Sequence, residues 1–160
     1  MDLSETLSQI PSGVERDEFL SLLLLADESG EQVRSYYQDG YLYALRSETG
    51  ATLGITLVLP GERDTVEFKA VAVAPDLHGR RVGRRMLAFV IDDLKSRGVP
   101  RVIVGTGNSG IGQIAFYQKA GFRLWKIERD FFSPARGYAE DIEENGIRLR
   151  DMVWFDQELR

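Results

Sequence analysis

The chain has 160 residues, 20 Lys+Arg against 25 Asp+Glu (a formal charge of −5), one histidine and no cysteine. That length holds one domain with a sizeable core, and 43% hydrophobic with 28% charged residues excludes global disorder. The missing cysteines remove disulfides and thiolate chemistry, the lone histidine argues against a metal centre, and the acidic balance argues against nucleic acid as the partner.

The N-terminus is acidic from Asp2, unlike the basic start of a secretory leader. The longest apolar run, near residues 19–26, is far below the roughly 18–20 residues that span a bilayer, so a cytoplasmic protein with no membrane partner is expected. No repeat or linker divides residues 1–160, which read as one domain. Residues 13–38 are expected to be helical, with Leu20, Leu23, Leu24 and Ala26 as the apolar face and a break at Ser29-Gly30. The period then changes: YLYALRS and ATLGITLVLP read as a hairpin around Glu48-Thr49-Gly50. Residues 65–75 form the next strand, nearly continuously apolar toward its end, as in a strand buried on both faces. A helix begins near Arg80, repeats Val82, Met86, Val90 and Leu94 at i+4, and closes at Gly98. RVIV at 101–104 is a short buried strand, residues 113–120 a second helix, and FRLWKIER and IRLRDMVWFDQ two further strands around a loop carrying GYAEDIEENG. That order predicts an α/β (α+β) fold with a mixed central sheet of about six to seven strands and helices on both faces.

The first concentration of chemistry is VAVAPDLHGRRVGRRML, residues 71–87. Arg80, Arg81, Arg84 and Arg85 crowd the start of a helix, where the backbone already carries partial positive charge. An anionic ligand docking there would reverse the sign, and Gly79 and Gly83 would let backbone approach a phosphate. The alternatives are a solvated helix face and a nucleic-acid patch; the net charge opposes the second.

These residues resemble the acetyl-CoA-binding motif of the GCN5-related N-acetyltransferases, the GNAT superfamily. That pattern runs V-x-P, two residues, then Gln/Arg-x-x-Gly-x-Gly/Ala into a helix. Val73, Pro75, Gly79 and Gly83 fit it, whereas His78 stands where Gln or Arg is usual and Arg81 where a glycine is usual. The element order is similar over roughly residues 15–156. The resemblance implies a GNAT fold in which two central parallel strands splay apart. Pantetheine would pair with the backbone of Val71, Ala72 and Val73, where an N–H would meet the oxyanion. The stretch His78, Gly79, Arg80, Arg81, Val82, Gly83 and Arg84 would hold the pyrophosphate. Acetyl-CoA is the implied cosubstrate and an amine the implied acceptor; no metal is implied, and a homodimer is left open.

The second concentration is VIVGTGNSGIGQIAFYQKAGF, residues 102–122. Phe116, Tyr117, Gly121 and Phe122 match the family's Y-x-x-x-G-F ending, in which the tyrosine lies near the CoA thiol. Asn108 stands nine residues before Tyr117 rather than the usual seven, and either contacts pantetheine or braces its own turn. Gly105, Gly107 and Gly110 also spell GxGxxG after a strand, with Glu128 eighteen residues on, the form of a dinucleotide fingerprint. Only about 30 residues follow Glu128, too few for the rest of such a domain.

Acetyl transfer needs a neutral amine, a stabilised oxyanion and a proton for the departing thiolate. The resemblance makes Tyr117 the candidate acid; its alternative is ring packing. Glu67 is the candidate base, since histone acetyltransferases of the superfamily carry a catalytic Glu eleven residues before the position of His78; its alternative is a pair with Lys69. Glu140, Asp141, Glu143 and Glu144 either attract a cationic acceptor or form a solvated turn. The expectation is an N-acetyltransferase acting on a small molecule or peptide by direct attack in a ternary complex. A non-catalytic CoA-binding protein and an NAD-binding oxidoreductase are the alternatives.

Overall fold

A computed structural model describes residues 5–27 and 29–160. The chain enters through β1 (Thr6–Ile10) and a 3-10 turn (Val14–Phe19) that runs into α1 (Leu20–Ala26) and α2 (Gly30–Tyr36). β2 (Tyr41–Arg46), β3 (Thr52–Pro60) and β4 (Val66–Val73) form an antiparallel meander. α3 (Val82–Ser96), β5 (Arg101–Gly107), α4 (Ile111–Lys119) and β6 (Arg123–Glu128) follow. A small ribbon of β7 (Glu143–Glu144) and β8 (Ile147–Arg148) precedes β9 (Met152–Glu158). The main sheet has seven strands in the order β1-β2-β3-β4-β5-β9-β6, and β4–β5 is its parallel pair.

Side chains alternate between two cores. On one face, Val82, Met86, Val90 and Leu94 of α3, together with Tyr117 of α4, pack on Tyr43, Val58, Phe68, Val104 and Phe155. The predicted i+4 stripe is therefore the buried face of α3. On the other face, Phe19, Leu23, Val33 and Tyr36 cover Leu42, Ile55, Leu57, Ala70 and Ala72. The buried Arg16 guanidinium fastens this layer, donating to the carbonyls of Ile10, Tyr37, Asp39 and Gly40.

Four boundaries differ from expectation. β1 escapes the sequence pattern because, of its five residues, only Ile10 is buried. The 13–38 segment begins as a 3-10 turn, and its break includes Ser29 as expected, the Ser29 hydroxyl capping α2 by accepting the Gln32 N–H at 3.3 Å. Leu24 and Ala26 face outward rather than into the core. The strand expected over 147–157 is divided into β8 and β9, and Leu149 turns its side chain inward between them.

Candidate active site

β4 and β5 run side by side for only three pairs, Val66 with Val102, Glu67 with Ile103 and Phe68 with Val104. They then part, although β4 continues to Val73 and β5 to Gly107. The cause is local. On β3, Val58 opposes Phe68 while Leu57 opposes Ala70, which leaves Lys69 as an extra residue in β4. Such a bulge bends its strand and turns successive side chains to the opposite faces. Beyond it, the backbone groups of β4 that point toward β5 have no ladder partner, and a cavity of about 1060 Å³ opens between β4 and α4. Val71, Ala72 and Val73 line one side, and Phe116, Tyr117 and Lys119 of α4 the other.

The loop after β4 closes one end of this slot. His78 Nε2 donates to the Val73 carbonyl at 3.1 Å, and the Arg80 N–H bonds to Leu77. Gly79 (φ 83°) and Arg81 (φ 58°) both adopt left-handed backbone. This explains why α3 begins at Val82 rather than Arg80: its first internal bond runs from the Arg85 N–H to the Arg81 carbonyl at 3.2 Å. The amides of Val82, Gly83 and Arg84 are thus the open N–H groups of a helix start. Gly83 is needed for packing, because a Cβ there would lie 3.0 Å from the Phe116 ring and 3.3 Å from Val73. His78, Gly79, Arg81, Val82, Gly83 and Arg84 line the slot. Arg80 lies outside the lining, and Arg85 is held by the buried carboxylate of Glu5 at 2.7 Å. The arginine cluster therefore divides into groups facing the slot and groups that face away from it, and Lys119 joins the first set.

A second cavity, about 170 Å³, shares Leu25, Val71, Gln113 and Tyr117 with the slot. Glu67, Lys69, Asp27, Glu144, Phe131, Phe132 and Tyr138 also line it. Tyr117 stands at the junction, its ring packed edge-on against Phe116 at 5.1 Å and Phe122 at 5.8 Å. Burial pushes its phenol well above the ordinary tyrosine range. Burial likewise raises Glu67, with the Lys69 charge working against the shift. Asn108 belongs to neither lining: its carbonyl oxygen accepts the Arg150 and Asp151 amides at 2.8 and 2.9 Å, and its amide donates to the Arg148 carbonyl. Its side chain therefore ties the end of β5 to the segment that enters β9. Sequence reading missed Gln113 and Lys119, and missed the aromatic wall, although Phe131-Phe132 in a polar loop was a visible signal.

The dinucleotide reading is overturned. β5 lies beside antiparallel β9, not beside the next parallel strand of a nucleotide fold. Gly105 makes room for Met152, whose Sδ would sit 2.7 Å from a Cβ, and Gly107 for Leu149. The Glu128 carboxylate is occupied by Arg136 at 3.1 Å and the Trp154 indole N–H at 3.3 Å. Among the described residues no group of three or more His, Asp or Glu could hold a metal ion, and no helix is long and apolar enough to cross a membrane.

Seven strands with a parallel pair that splays, and a slot ending at a helix start, define the GNAT fold. Residues 9–122 match the Acetyltransferase (GNAT) family, and the chain belongs to it as a GNAT N-acetyltransferase. It is 41% identical over 138 residues to YvbK, an uncharacterised N-acetyltransferase of Bacillus subtilis (strain 168), covering 86% of each chain. A Bacillus subtilis acetyltransferase solved in complex with CoA superposes with a TM-score of 0.86 at 36% identity, covering 98% of this chain and 99% of that one. A GNAT acetyltransferase from Elizabethkingia anophelis, solved with acetyl-CoA bound, gives the same TM-score at 34% identity and the same coverage.

Proposed function

We propose that this chain transfers the acetyl group of acetyl-CoA directly to a primary amine, the slot holding the donor and the smaller cavity the acceptor. The observation that carries this reading is the junction: the two cavities meet at Val71 and Tyr117. The relatives solved with CoA and acetyl-CoA support the donor, at 36% and 34% identity over nearly the whole chain.

The residues present fit such a donor. The edge of β4 at Val71–Val73, free of a ladder apart from the Val73 carbonyl that His78 holds, offers N–H and C=O groups to the amide-bearing arm, as an added strand would use them. The open amides of Val82, Gly83 and Arg84 and the cations Arg81, Arg84 and Lys119 suit a pyrophosphate. Bound acetyl-CoA supplies the thioester carbonyl that a neutral amine attacks. A β4 amide near Val71 stabilises the negative charge that develops on that oxygen. Glu67 faces the acceptor cavity and takes the amine proton, directly or through water; its raised pKa brings it closer to neutrality, where a base works best. Tyr117 keeps its proton because burial disfavours the phenolate, so it acts toward the leaving sulfur as an acid and not as a base.

The test is thiol release from acetyl-CoA over a panel of amines, alongside calorimetric titration with CoA. Turnover that requires an amine supports the reading. CoA binding without turnover on any amine would leave a binding protein, and absence of CoA binding would refute the donor assignment.

A further inference from the structure

The smaller cavity is specific in size, wall and charge. Its volume of about 170 Å³ has room for one small ring-sized body, and its lining mixes a polar majority of surface with apolar side chains. One wall is aromatic: Phe132 lies 4.9 Å from Tyr138 and 5.1 Å from Phe131, ring centre to ring centre. This wall is held in place by hydrogen bonds and a stacked cation. The Tyr138 hydroxyl donates to Asp27 at 3.1 Å, the Tyr36 hydroxyl donates to the other Asp27 oxygen at 3.0 Å, and the Arg136 guanidinium covers Phe131 at 4.3 Å. Gln32 also donates to the Arg136 carbonyl at 2.8 Å, which ties α2 to the aromatic loop.

Charge completes the picture. Asp27 is met by three donors, the two tyrosines and the Ser29 amide. Glu67 and Glu144 remain against one ammonium, Lys69, which sits 5.1 Å from the centre of the Tyr36 ring. Counting Asp27, the lining is net negative, which suits a cationic acceptor. A longer polycation would run toward Arg81, Arg84 and Lys119 on the slot side, or past Arg136 beyond the aromatic wall. The exposed carboxylates Glu140, Asp141 and Glu143 line neither cavity.

We infer that the acceptor is a compact arylalkylamine: one primary ammonium, facing Glu67, on a single-ring body that packs against Phe132 and Tyr138. This rests on the acetyl-transfer reading above and names the acceptor class within it. In the reaction the ammonium first gives one proton through Glu67 to solvent; the neutral nitrogen then bonds the acetyl carbon, the C–S bond breaks, the sulfur takes the Tyr117 proton and leaves as the thiol, and the second nitrogen proton restores the phenol.

The experiment uses the whole chain and three acceptors: 2-phenylethylamine, spermidine and a short peptide with an N-terminal alanine. Protein saturated with CoA, which has no acetyl group to transfer, is titrated with each amine by calorimetry, and thiol release from acetyl-CoA is then measured. The expected result is a kcat/KM for 2-phenylethylamine at least about ten-fold above the other two, the low end of what packing of a substrate body in a pocket discriminates. Phe132→Ala is expected to raise its KM by about ten-fold with kcat little changed, and Phe132→Leu to recover part of the loss. Where Phe132→Ala fails to fold, the Leu variant alone must show a smaller KM rise. Preference for spermidine or the peptide, no turnover of 2-phenylethylamine by protein that binds CoA, or an unchanged KM in both folded variants overturns the inference while leaving the donor reading intact. Failure to bind CoA overturns both.

Discussion

The Tyr117 ring is fixed by Phe116, Phe122 and Phe155, which leaves only its hydroxyl to act on anything at the junction. Tyr117→Phe keeps that packing. CoA affinity is therefore expected to change by less than about 1 kcal/mol, the net value of one hydroxyl hydrogen bond. The transfer rate should fall by about 10–10²-fold, because a thiolate is already a fair leaving group, and the deficit should shrink as pH rises. A wild-type rate in the folded variant, followed by thiol release from pH 6 to 9, would remove the acid role. Glu67 carries the opposite lesson about burial. A carboxyl whose folded pKa is raised binds more protons folded than unfolded, so its contribution to stability falls as pH rises from the unfolded pKa through the folded one. Glu67→Gln removes that penalty: the variant should melt higher than wild type at pH 7, with the difference vanishing in acid. Its kcat should drop by about 10²-fold, the lower end for losing a general base, and the acid limb of the rate profile should disappear. A slower enzyme with an unchanged acid limb would make Glu67 a positioning residue instead.

At the scale of elements, the start of α3 holds the most unusual backbone near the slot. Arg81 sits at φ 58° immediately before the helix, a conformation that costs an L-residue roughly 1–2 kcal/mol and glycine almost nothing. Arg81→Gly is expected to stabilise the fold by about 0.5–1 kcal/mol after the added chain entropy of glycine, a rise of about 2 °C by calorimetry. The family pattern of residues 71–87 already marked this position as one where glycine is usual, so the departure was legible although its geometry was not. α3 itself was legible because four apolar residues at i+4 can form only one stripe. β1 was not: Ser8 and Gln9 carry no apolar period, and the strand exists because the edge of β2 offers it a ladder. The bulge at Lys69 was equally hidden. VEFKAVAV reads as an ordinary strand, and only its pairing with β3 exposes the extra residue that parts β4 from β5.

For the whole molecule, the residues of the slot proposed for the donor were readable in sequence and most of those of the cavity proposed for the acceptor were not, for one reason. Donor-side groups lie in a contiguous run, 71–84, completed by the nearby Phe116, Tyr117 and Lys119 of α4. The smaller cavity gathers Asp27, Glu67 and the 132–144 stretch from three distant parts of the chain, which only the sheet order brings together. The same scale decides the electrostatics. A chain of net charge −5 should repel a polyanion, yet Arg81, Arg84 and Lys119 concentrate positive charge at one end of the slot. Binding of CoA should therefore weaken with added salt, since these groups are close enough to the surface to be screened. Replacing Arg84 and Lys119 together by alanine is expected to weaken CoA by roughly 1–3 kcal/mol at low ionic strength, the range of charge-assisted hydrogen bonds. The loss should narrow as salt rises, because the wild type has more to lose, and should be smaller for dephospho-CoA, which carries less charge. Arg80→Ala is the internal control: its side chain lies outside the slot, so its CoA affinity and salt slope should stay near those of the wild type. An equal loss in the Arg80 variant, or an unchanged affinity in the double variant at every salt concentration, would place the phosphates elsewhere than at the start of α3.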